Sequence, residues 1–171
     1  PKLRIIGNFG VGYDSVDAAA AGKRGIIVTN TPDVLTEEVA DTTLGLLLMT
    51  VRELSQAERW LREGKWATEG DYPLTQASLR DRSVGILGMG RIGMAIARRL
   101  EAFAVPVSYC ARHRRENLSY PYYPTAVELA KAVDTLIVIT PGGPETRNIV
   151  DAAVLEALGP RGILINMARG T

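Results

Sequence analysis

Cysteine and histidine are almost absent from this chain, which has one residue of each among 171. A single thiol cannot form an internal disulfide, so the chain is not a disulfide-stabilised scaffold. One cysteine and one histidine also fall short of the four ligands of an ordinary structural zinc site, and we expect no metal site. The scarcity of cysteine favours a reducing compartment, and we predict a cytoplasmic location.

An excess of charge of one sign is also lacking, as are long apolar runs. The 20 lysines and arginines are balanced by 19 aspartates and glutamates, which leaves a net charge of +1. This balance gives no overall attraction to nucleic acid or to an acidic membrane, so any basic site must be local. No apolar run reaches the roughly 20 residues of a membrane span, and the first residues lack a signal-peptide layout. We therefore expect no nucleic-acid partner and no membrane partner.

Hydrophobic residues make up 46% of the chain, enough to bury the core of about one domain or slightly more. Pro1 is an unusual first residue, and Thr171 directly follows a motif-like segment. We therefore expect the chain to be a piece of a longer protein.

A glycine-rich turn is the most informative feature that is present. The apolar segment 84–87 leads into Gly-Met-Gly-Arg-Ile-Gly, and apolar residues then recur at helical spacing. In G-x-G-x-x-G the first glycine permits a tight turn, the second lets backbone approach a pyrophosphate, and the third lets helix and strand pack closely. The free N–H groups and positive dipole end of the helix then bind phosphate. The pattern predicts a dinucleotide site at Gly88, Gly90, Arg91, Ile92 and Gly93.

Strand and helix patterns alternate after this turn, which favours a parallel sheet with right-handed crossovers. With the glycine turn, this alternation predicts an α/β fold of the Rossmann type, a doubly wound parallel sheet between two layers of helices. The predicted strands are 84–87, 105–110, 135–140 and 162–166, and the later predicted helices are 125–132 and 151–158.

The first part of the chain has a different pattern. A short strand over 3–7 leads into a glycine turn at 10–12, a helix capped by residues 14–17, and a second strand over 26–28. A helical pattern then runs from Thr36 to about Gly64, and its broad apolar surface predicts burial on more than one side. Residues 65–81 are mixed and rich in turn formers, and we interpret them as an arm or linker.

Four segments, taken in order and spacing, resemble the D-isomer-specific 2-hydroxyacid dehydrogenase family. They are GNFGVGYDSVD, GIIVTNTPDVLTEEVADTTLGLLL, GILGMGRIG and ILINMARG. The stretch EALGPRGILINMARG is most similar to the glyoxylate, hydroxypyruvate and hydroxyphenylpyruvate reductase branch. The resemblance implies that residues 1–33 are a fragment of a flavodoxin-like substrate domain. It further implies an interdomain helix and dimerisation arm over 34–82, and a Rossmann domain over 83–171 that is truncated at its C-terminal end.

The resemblance also implies roles for individual residues. Arg169 would be the catalytic arginine, because a guanidinium presents a permanently charged, planar fork to a carboxylate and a carbonyl. The amides of Val11 and Gly12 would bind the substrate carboxylate, although a plain tight turn explains the glycines equally well. The family's catalytic glutamate and histidine follow its arginine, so we expect both outside this chain and His113 to be an exposed loop residue. Further residues that would line the cofactor site are Val39, Thr140, Pro141, Met167 and Ala168.

The choice of cofactor follows from the end of the second nucleotide strand. In NAD-binding proteins an acidic residue about 20 positions after the first glycine binds the ribose hydroxyls. Here Cys110 occupies that region and an arginine-rich loop follows, as in the NADP-dependent members of the family. Arg112 and Arg114 would bind the additional phosphate by charge-assisted hydrogen bonds, unless the loop is merely exposed and basic. The sequence therefore predicts preference for NADPH over NADH.

These features predict an NADPH-preferring reductase of a small 2-keto acid, of the glyoxylate or hydroxypyruvate type, that yields the D-2-hydroxy acid. The resemblance implies a homodimer that assembles through the long helix and the arm. One alternative is a dinucleotide-sensing regulator without enzymatic activity, like the corepressors of the same family. Another is a hydrolase that keeps NAD bound, and the NMARG ending argues against it. We expect Cys110 to be a buried thiol rather than a nucleophile.

Overall fold

Two parallel sheets organise the chain in the computed structural model, which describes residues 2–75 and 77–170. The strands are β1 (Ile5–Gly7), β2 (Ile27–Thr29), β3 (Val84–Leu87), β4 (Val107–Cys110), β5 (Tyr122–Tyr123), β6 (Thr135–Val138) and β7 (Ile163–Asn166). The larger sheet has the order β5-β4-β3-β6-β7 with every neighbouring pair parallel, whereas β1 and β2 form a separate parallel pair.

Seven α-helices accompany these strands within the described residues. They are α1 (Ala18–Lys23), α2 (Thr36–Val51), α3 (Leu54–Arg62), α4 (Lys65–Glu69), α5 (Arg91–Ala102), α6 (Ala126–Ala132) and α7 (Ala152–Leu158). None of the helices in residues 2–75 and 77–170 is both long enough and apolar enough to traverse a bilayer.

Helices cover both faces of the five-stranded sheet because successive side chains of each strand point to opposite faces. Val84 and Ile86 of β3 pack in one core with α2 and α5. Leu87 packs in a second core with α6 and α7 on the other face. This three-layer arrangement confirms the predicted doubly wound α/β fold of the Rossmann type.

The direction of the strand order reverses at β3, which pairs with β4 on one side and β6 on the other. The connections that leave β3 and β6 therefore run to different faces of the sheet and leave a crevice at the carboxyl ends of the strands. In open α/β sheets ligands bind in such a crevice. The loops that border it are 88–90 after β3 and 139–142 after β6.

The prediction of a single long helix from Thr36 to about Gly64 is wrong. Helix α2 ends at Val51, Glu53 adopts a left-handed conformation with φ 52°, and α3 begins immediately afterwards. Gly64, with φ 75°, then separates α3 from α4. The apolar periodicity continues past Glu53. A single residue in the left-handed conformation does not change the spacing of the apolar residues, so the sequence pattern does not reveal the break.

Residues 65–81, interpreted as an arm or linker, contain the short helix α4 and a 3-10 turn at Leu79–Asp81. The arm folds back on α3, since the Trp60 Nε1–H group donates to the Gly70 carbonyl at 3.0 Å. The rings of Trp60 and Tyr72 also meet edge to face, with centroids 5.9 Å apart.

Strand bounds also differ from the prediction; for example, β1 begins at Ile5 rather than at residue 3, and β6 ends at Val138 rather than at residue 140. Strand β4 begins at Val107 rather than at residue 105, after Pro106, which has no N–H to donate to the ladder. Strand β5 is not predicted, because its two residues are too few to leave a periodic pattern.

Replacement of Leu129 by alanine should lower the free energy of unfolding by about 2–5 kcal/mol, because this side chain is fully buried. It packs over Gly85 of β3, where an added Cβ would lie 2.9 Å from Leu129 Cγ. Leu155→Ala is the matched control, since that side chain is 48% exposed. Urea unfolding should separate the two variants, and equal losses would contradict the assignment of Leu129 to the core.

Candidate active site

The glycine turn brings β3, β6 and α5 closer together than other residues would allow. Gly88 has φ 108°, and a Cβ there would lie 2.8 Å from the carbonyl oxygen of Ile139. A Cβ on Gly93 would collide with the carbonyl oxygen of Gly88. The first and third glycines of the motif are therefore required by packing, and they fix the position at which α5 begins.

The N-terminus of α5 opens toward empty space. Gly90 is the N-cap and provides no side-chain cap, and the Met94 N–H donates to the Gly90 carbonyl at 3.0 Å. The N–H groups of the first turn precede this bond and have no partner within a helix. A Cβ on Gly90 would meet nothing within 4 Å. The residues present thus form a cradle that fits a pyrophosphate on the second glycine and the helix end.

One cleft of about 650 Å³ brings together most of the residues that the sequence predicts for the site. It lies between the N-terminal segment, the start of α2 and the carboxyl edge of the larger sheet. Predicted residues that line it are Val11, Gly12, Val39, Gly90, Arg91, Ile92, Gly93, Thr140, Pro141, Met167, Ala168 and Arg169. The glycine turn, the N-terminal loop and the arginine at the end of β7 therefore share one cavity.

Three predicted residues do not line this cleft. Gly88 packs against the backbone of Ile139, whereas Arg112 and Arg114 are exposed in the loop after β4. Arg112 Nη1 lies 3.2 Å from Glu145 Oε2, an ion pair that the sequence did not indicate. Arg115, which belongs to the predicted basic loop but was not predicted to bind the cofactor, donates from Nη1 to the Met89 carbonyl at 2.9 Å and ties this loop to the glycine turn.

Two asparagines hold the N-terminal loop by its carbonyl groups. Asn8 Nδ2 donates to the Gly12 carbonyl and Asn30 Nδ2 to the Val11 carbonyl, each at 2.9 Å. The Thr31 N–H donates to the Gly10 carbonyl at 3.0 Å. No hydrogen bond within residues 2–75 and 77–170 uses the N–H groups of Val11 or Gly12. These two amides in the wall of the cleft are therefore available to an anion.

Arg169 projects from the turn that follows β7, and Asn166 shapes that turn. The side chain of Asn166 accepts from the Ala168 N–H and donates to the Arg169 carbonyl, both at 2.9 Å. The Arg169 side chain lies between two glycines, because a Cβ on Gly12 would collide with Nη2 and a Cβ on Gly142 would lie 3.0 Å from Cγ.

Asp14 pairs with Arg169 across the cleft through two hydrogen bonds. Arg169 Nε donates to Oδ2 at 3.0 Å, and Nη2 donates to Oδ1 at 2.8 Å. The hydrogen bonds from Arg169 are the main cause that lowers the pKa of Asp14 from 3.8 to about 2. Because this pKa is depressed on folding, the pair stabilises the fold above the unfolded value and loses that contribution as the pH falls toward 2.

A second ion pair lines the cleft: Arg91 Nη1 lies 3.1 Å from Asp33 Oδ1. Sequence reasoning missed both acidic partners, Asp14 and Asp33, although each lies in a segment that carries the family resemblance. Both residues are recognisable in the sequence as carboxylates, but their positions along the chain do not indicate which arginine each one pairs with.

The remaining reactive side chains lie outside the cleft. His113 is exposed in the loop after β4. Cys110 is 7% exposed at the end of β4, and burial raises the pKa of its thiol, which opposes formation of the nucleophilic thiolate. The described structure therefore agrees with the interpretation of Cys110 as a buried thiol.

Comparison with known proteins identifies the family of this chain. Residues 44–171 match the sequence model of the D-isomer specific 2-hydroxyacid dehydrogenase, NAD binding domain. The chain is 48% identical over 170 residues to glyoxylate/hydroxypyruvate reductase A of Arabidopsis thaliana, and this match covers 99% of the chain and 54% of the relative. It is 46% identical to hydroxyphenylpyruvate reductase of Plectranthus scutellarioides, with the same coverage.

A solved structure is similar over the same extent. The NADPH-dependent glyoxylate/hydroxypyruvate reductase of Sinorhizobium meliloti, in complex with NADP and malonate, is 62% identical with a TM-score of 0.96. The match covers 99% of this chain and 53% of that one. The chain thus spans about half the length of the relatives it matches. Fold, motifs and sequence agree, and the chain belongs to the D-isomer specific 2-hydroxyacid dehydrogenase family.

Proposed function

We propose that the complete protein reduces a small 2-keto acid, glyoxylate or hydroxypyruvate, to the D-2-hydroxy acid with NADPH. The observation that carries this proposal is the shared cleft, which is lined by both the N-terminus of α5 and the Arg169 side chain. The names of the matched relatives, which are reductases of these acids, support it. They also argue against the regulator alternative.

The residues of this chain would bind and orient the substrate. The amides of Val11 and Gly12 would bind its carboxylate, and Arg169 would hold the keto oxygen and stabilise the negative charge that develops there. When bound, NADPH supplies the hydride for the keto carbon. We propose that the proton for the new hydroxyl comes from a histidine outside these 171 residues, because His113 does not line the cleft.

The cofactor would lie across the switch point of the larger sheet. The first turn of α5 would bind the pyrophosphate, with Gly90, Arg91, Ile92 and Gly93 at the contact, and Thr140 and Pro141 would line the adenosine side. Val39, Met167 and Ala168 would lie near the nicotinamide. Arg112 and Arg114 would bind the phosphate that distinguishes NADPH from NADH, which requires Arg112 to exchange its Glu145 partner for that phosphate.

The domain division and the compartment are part of the proposal. Residues 1–33, with β1 and β2, would belong to the substrate domain, 34–82 to the interdomain helix and arm, and 83–171 to the nucleotide domain. The separation of the chain into two sheets supports this division. The single, buried cysteine is compatible with the reducing cytoplasm that we propose.

Arg169→Ala should lower kcat/KM for glyoxylate by roughly 100-fold or more, because the transition state loses a charged donor. Arg169→Lys should recover little, since an ammonium cannot reproduce the planar fork. Steady-state kinetics of the complete protein with NADPH would measure both, with Arg80→Ala, an exposed arginine outside the cleft, as control. An inactive wild-type protein, or a lysine variant with near wild-type turnover, would contradict the proposal.

Arg112→Ala should weaken NADPH binding by about 1.5–3 kcal/mol, the range of a hydrogen bond to a charged group, and leave NADH binding nearly unchanged. Glu145→Ala is the matched control, because it removes the other half of the ion pair and keeps the cation. This control should bind NADPH at least as tightly as the wild type. Fluorescence titration with both cofactors would test the assignment, and equal losses for NADPH and NADH on Arg112→Ala would contradict it.

We also propose that the complete protein is a homodimer whose interface includes α2, α3 and the arm through Pro73. Within the described residues, one side of α2 is buried against α5, as at Leu44 and Leu47. Leu46 and Met49 on the same helix are 39% and 41% exposed. Further exposed apolar side chains in α3 and the arm before Pro73 are Leu54, Leu61 and Trp66. A two-fold contact would bury this apolar surface.

Light scattering at micromolar concentration should therefore give the mass of a dimer. Trp66→Glu combined with Leu61→Glu should shift the mass toward the monomer, because the charges would oppose burial of these exposed apolar side chains. Phe103→Glu is the control, since Phe103 is also an exposed apolar residue, at 41%, but follows α5. A monomeric wild type, or dissociation of the control alone, would overturn the proposed interface.

A further inference from the structure

The ion pair between Asp14 and Arg169 leaves part of the guanidinium free. Asp14 accepts from Nε and Nη2, and the third nitrogen, Nη1, donates to the Ala168 carbonyl at 3.0 Å. A guanidinium carries five N–H donors, one on Nε and two on each terminal nitrogen. One N–H on Nη1 and one on Nη2 therefore remain for a substrate.

The pair joins two parts of the chain that are 155 residues apart. Asp14 follows the N-terminal loop whose amides face the cleft, whereas Arg169 follows β7 of the larger sheet. Both side chains are only half-buried, with 45% of Arg169 and 44% of Asp14 exposed. Packing alone therefore does not hold the guanidinium, and an arginine side chain has many rotamers. The bidentate carboxylate selects one of them.

We propose that Asp14 is a positioning residue for the reduction. It holds one edge of the Arg169 guanidinium and so presents the two remaining N–H groups to the 2-keto acid. This inference rests on the proposed function. The glycines at 12 and 142 leave room for the guanidinium in this orientation, since a side chain at either would press on Arg169.

A competing role for Asp14 predicts the opposite kinetics. If its carboxylate merely occupied the substrate's place on Arg169, removal of Asp14 would free the cation and lower KM. The geometry favours positioning, because Asp14 takes one edge and leaves donors on both terminal nitrogens. The pair also persists at assay pH, since the hydrogen bonds from Arg169 lower the pKa of Asp14 to about 2.

A double-mutant cycle on the complete protein tests this role. The variants are Asp14→Ala, Arg169→Ala and the double variant, assayed with glyoxylate and NADPH. In the wild-type background Asp14→Ala should lower kcat/KM by about tenfold or more, with kcat reduced and KM raised. In the Arg169→Ala background, Asp14→Ala should lower kcat/KM by less than about twofold, because a residue that acts only through Arg169 has nothing left to position.

The controls separate positioning from folding. Asp41 pairs with Arg99 Nε at 2.6 Å outside the cleft, so Asp41→Ala removes a similar ion pair and should leave kcat/KM unchanged. NADPH affinity should stay within about twofold of the wild type in every variant that is folded. If Asp14→Ala does not fold, Asp14→Asn keeps the shape and one acceptor, and Asp14→Glu should restore part of the activity because it retains the carboxylate.

Each result decides the question. The positioning role would be overturned if Asp14→Ala lowered kcat/KM equally in both backgrounds, or if it lowered KM in the wild-type background. Either result would leave the reductase function standing. A wild-type protein that reduces neither glyoxylate nor hydroxypyruvate would overturn the proposed function and this inference with it.

Discussion

The close approach of the 88–90 loop, β6 and α5 is the constraint on which the cleft depends. Gly88 and Gly93 lack the Cβ atoms that would collide with Ile139 and with the Gly88 carbonyl. Their absence lets α5 begin directly at the carboxyl edge of β3, so that its free N–H groups and its dipole face the crevice. A helix held farther away would present neither to a phosphate, and the loop after β6 would not line the same cavity.

A second constraint is electrostatic and joins the N-terminal part of the chain to the larger sheet and its helices. Asp14, Asp33, Glu37 and Asp41 come from the first part, and each meets an arginine of the second: Arg169, Arg91, Arg98 or Arg99. Such exposed pairs contribute little to stability. Their main effect is on geometry, because each carboxylate fixes the position of a guanidinium. At Arg169 and Arg91 that position is in the wall of the cleft.

The local elements that position the cleft were largely predictable. The apolar run before the glycine turn and the alternation after it indicate parallel strands and crossover helices, which the described structure contains. The break at Glu53 was not predictable, because the same apolar spacing fits one helix or two. The role of Asn8 and Asn30 was likewise hidden, since a side-chain amide that holds a loop carbonyl resembles any other loop asparagine.

The sequence by itself determined the residues that make the turn, the choice of a basic loop over an acidic one after β4, and the family. These properties depend on residue type and on spacing within a few turns of chain. The tertiary structure alone decided which groups meet across long separations. Nothing in the sequence pairs Asp14 with Arg169 or Arg112 with Glu145. Asp14 follows β1 of the small sheet and Arg169 follows β7 of the larger one, so the first pair exists only once the two sheets are packed together. The cleft lies where these parts meet, and its charges are arranged by folding.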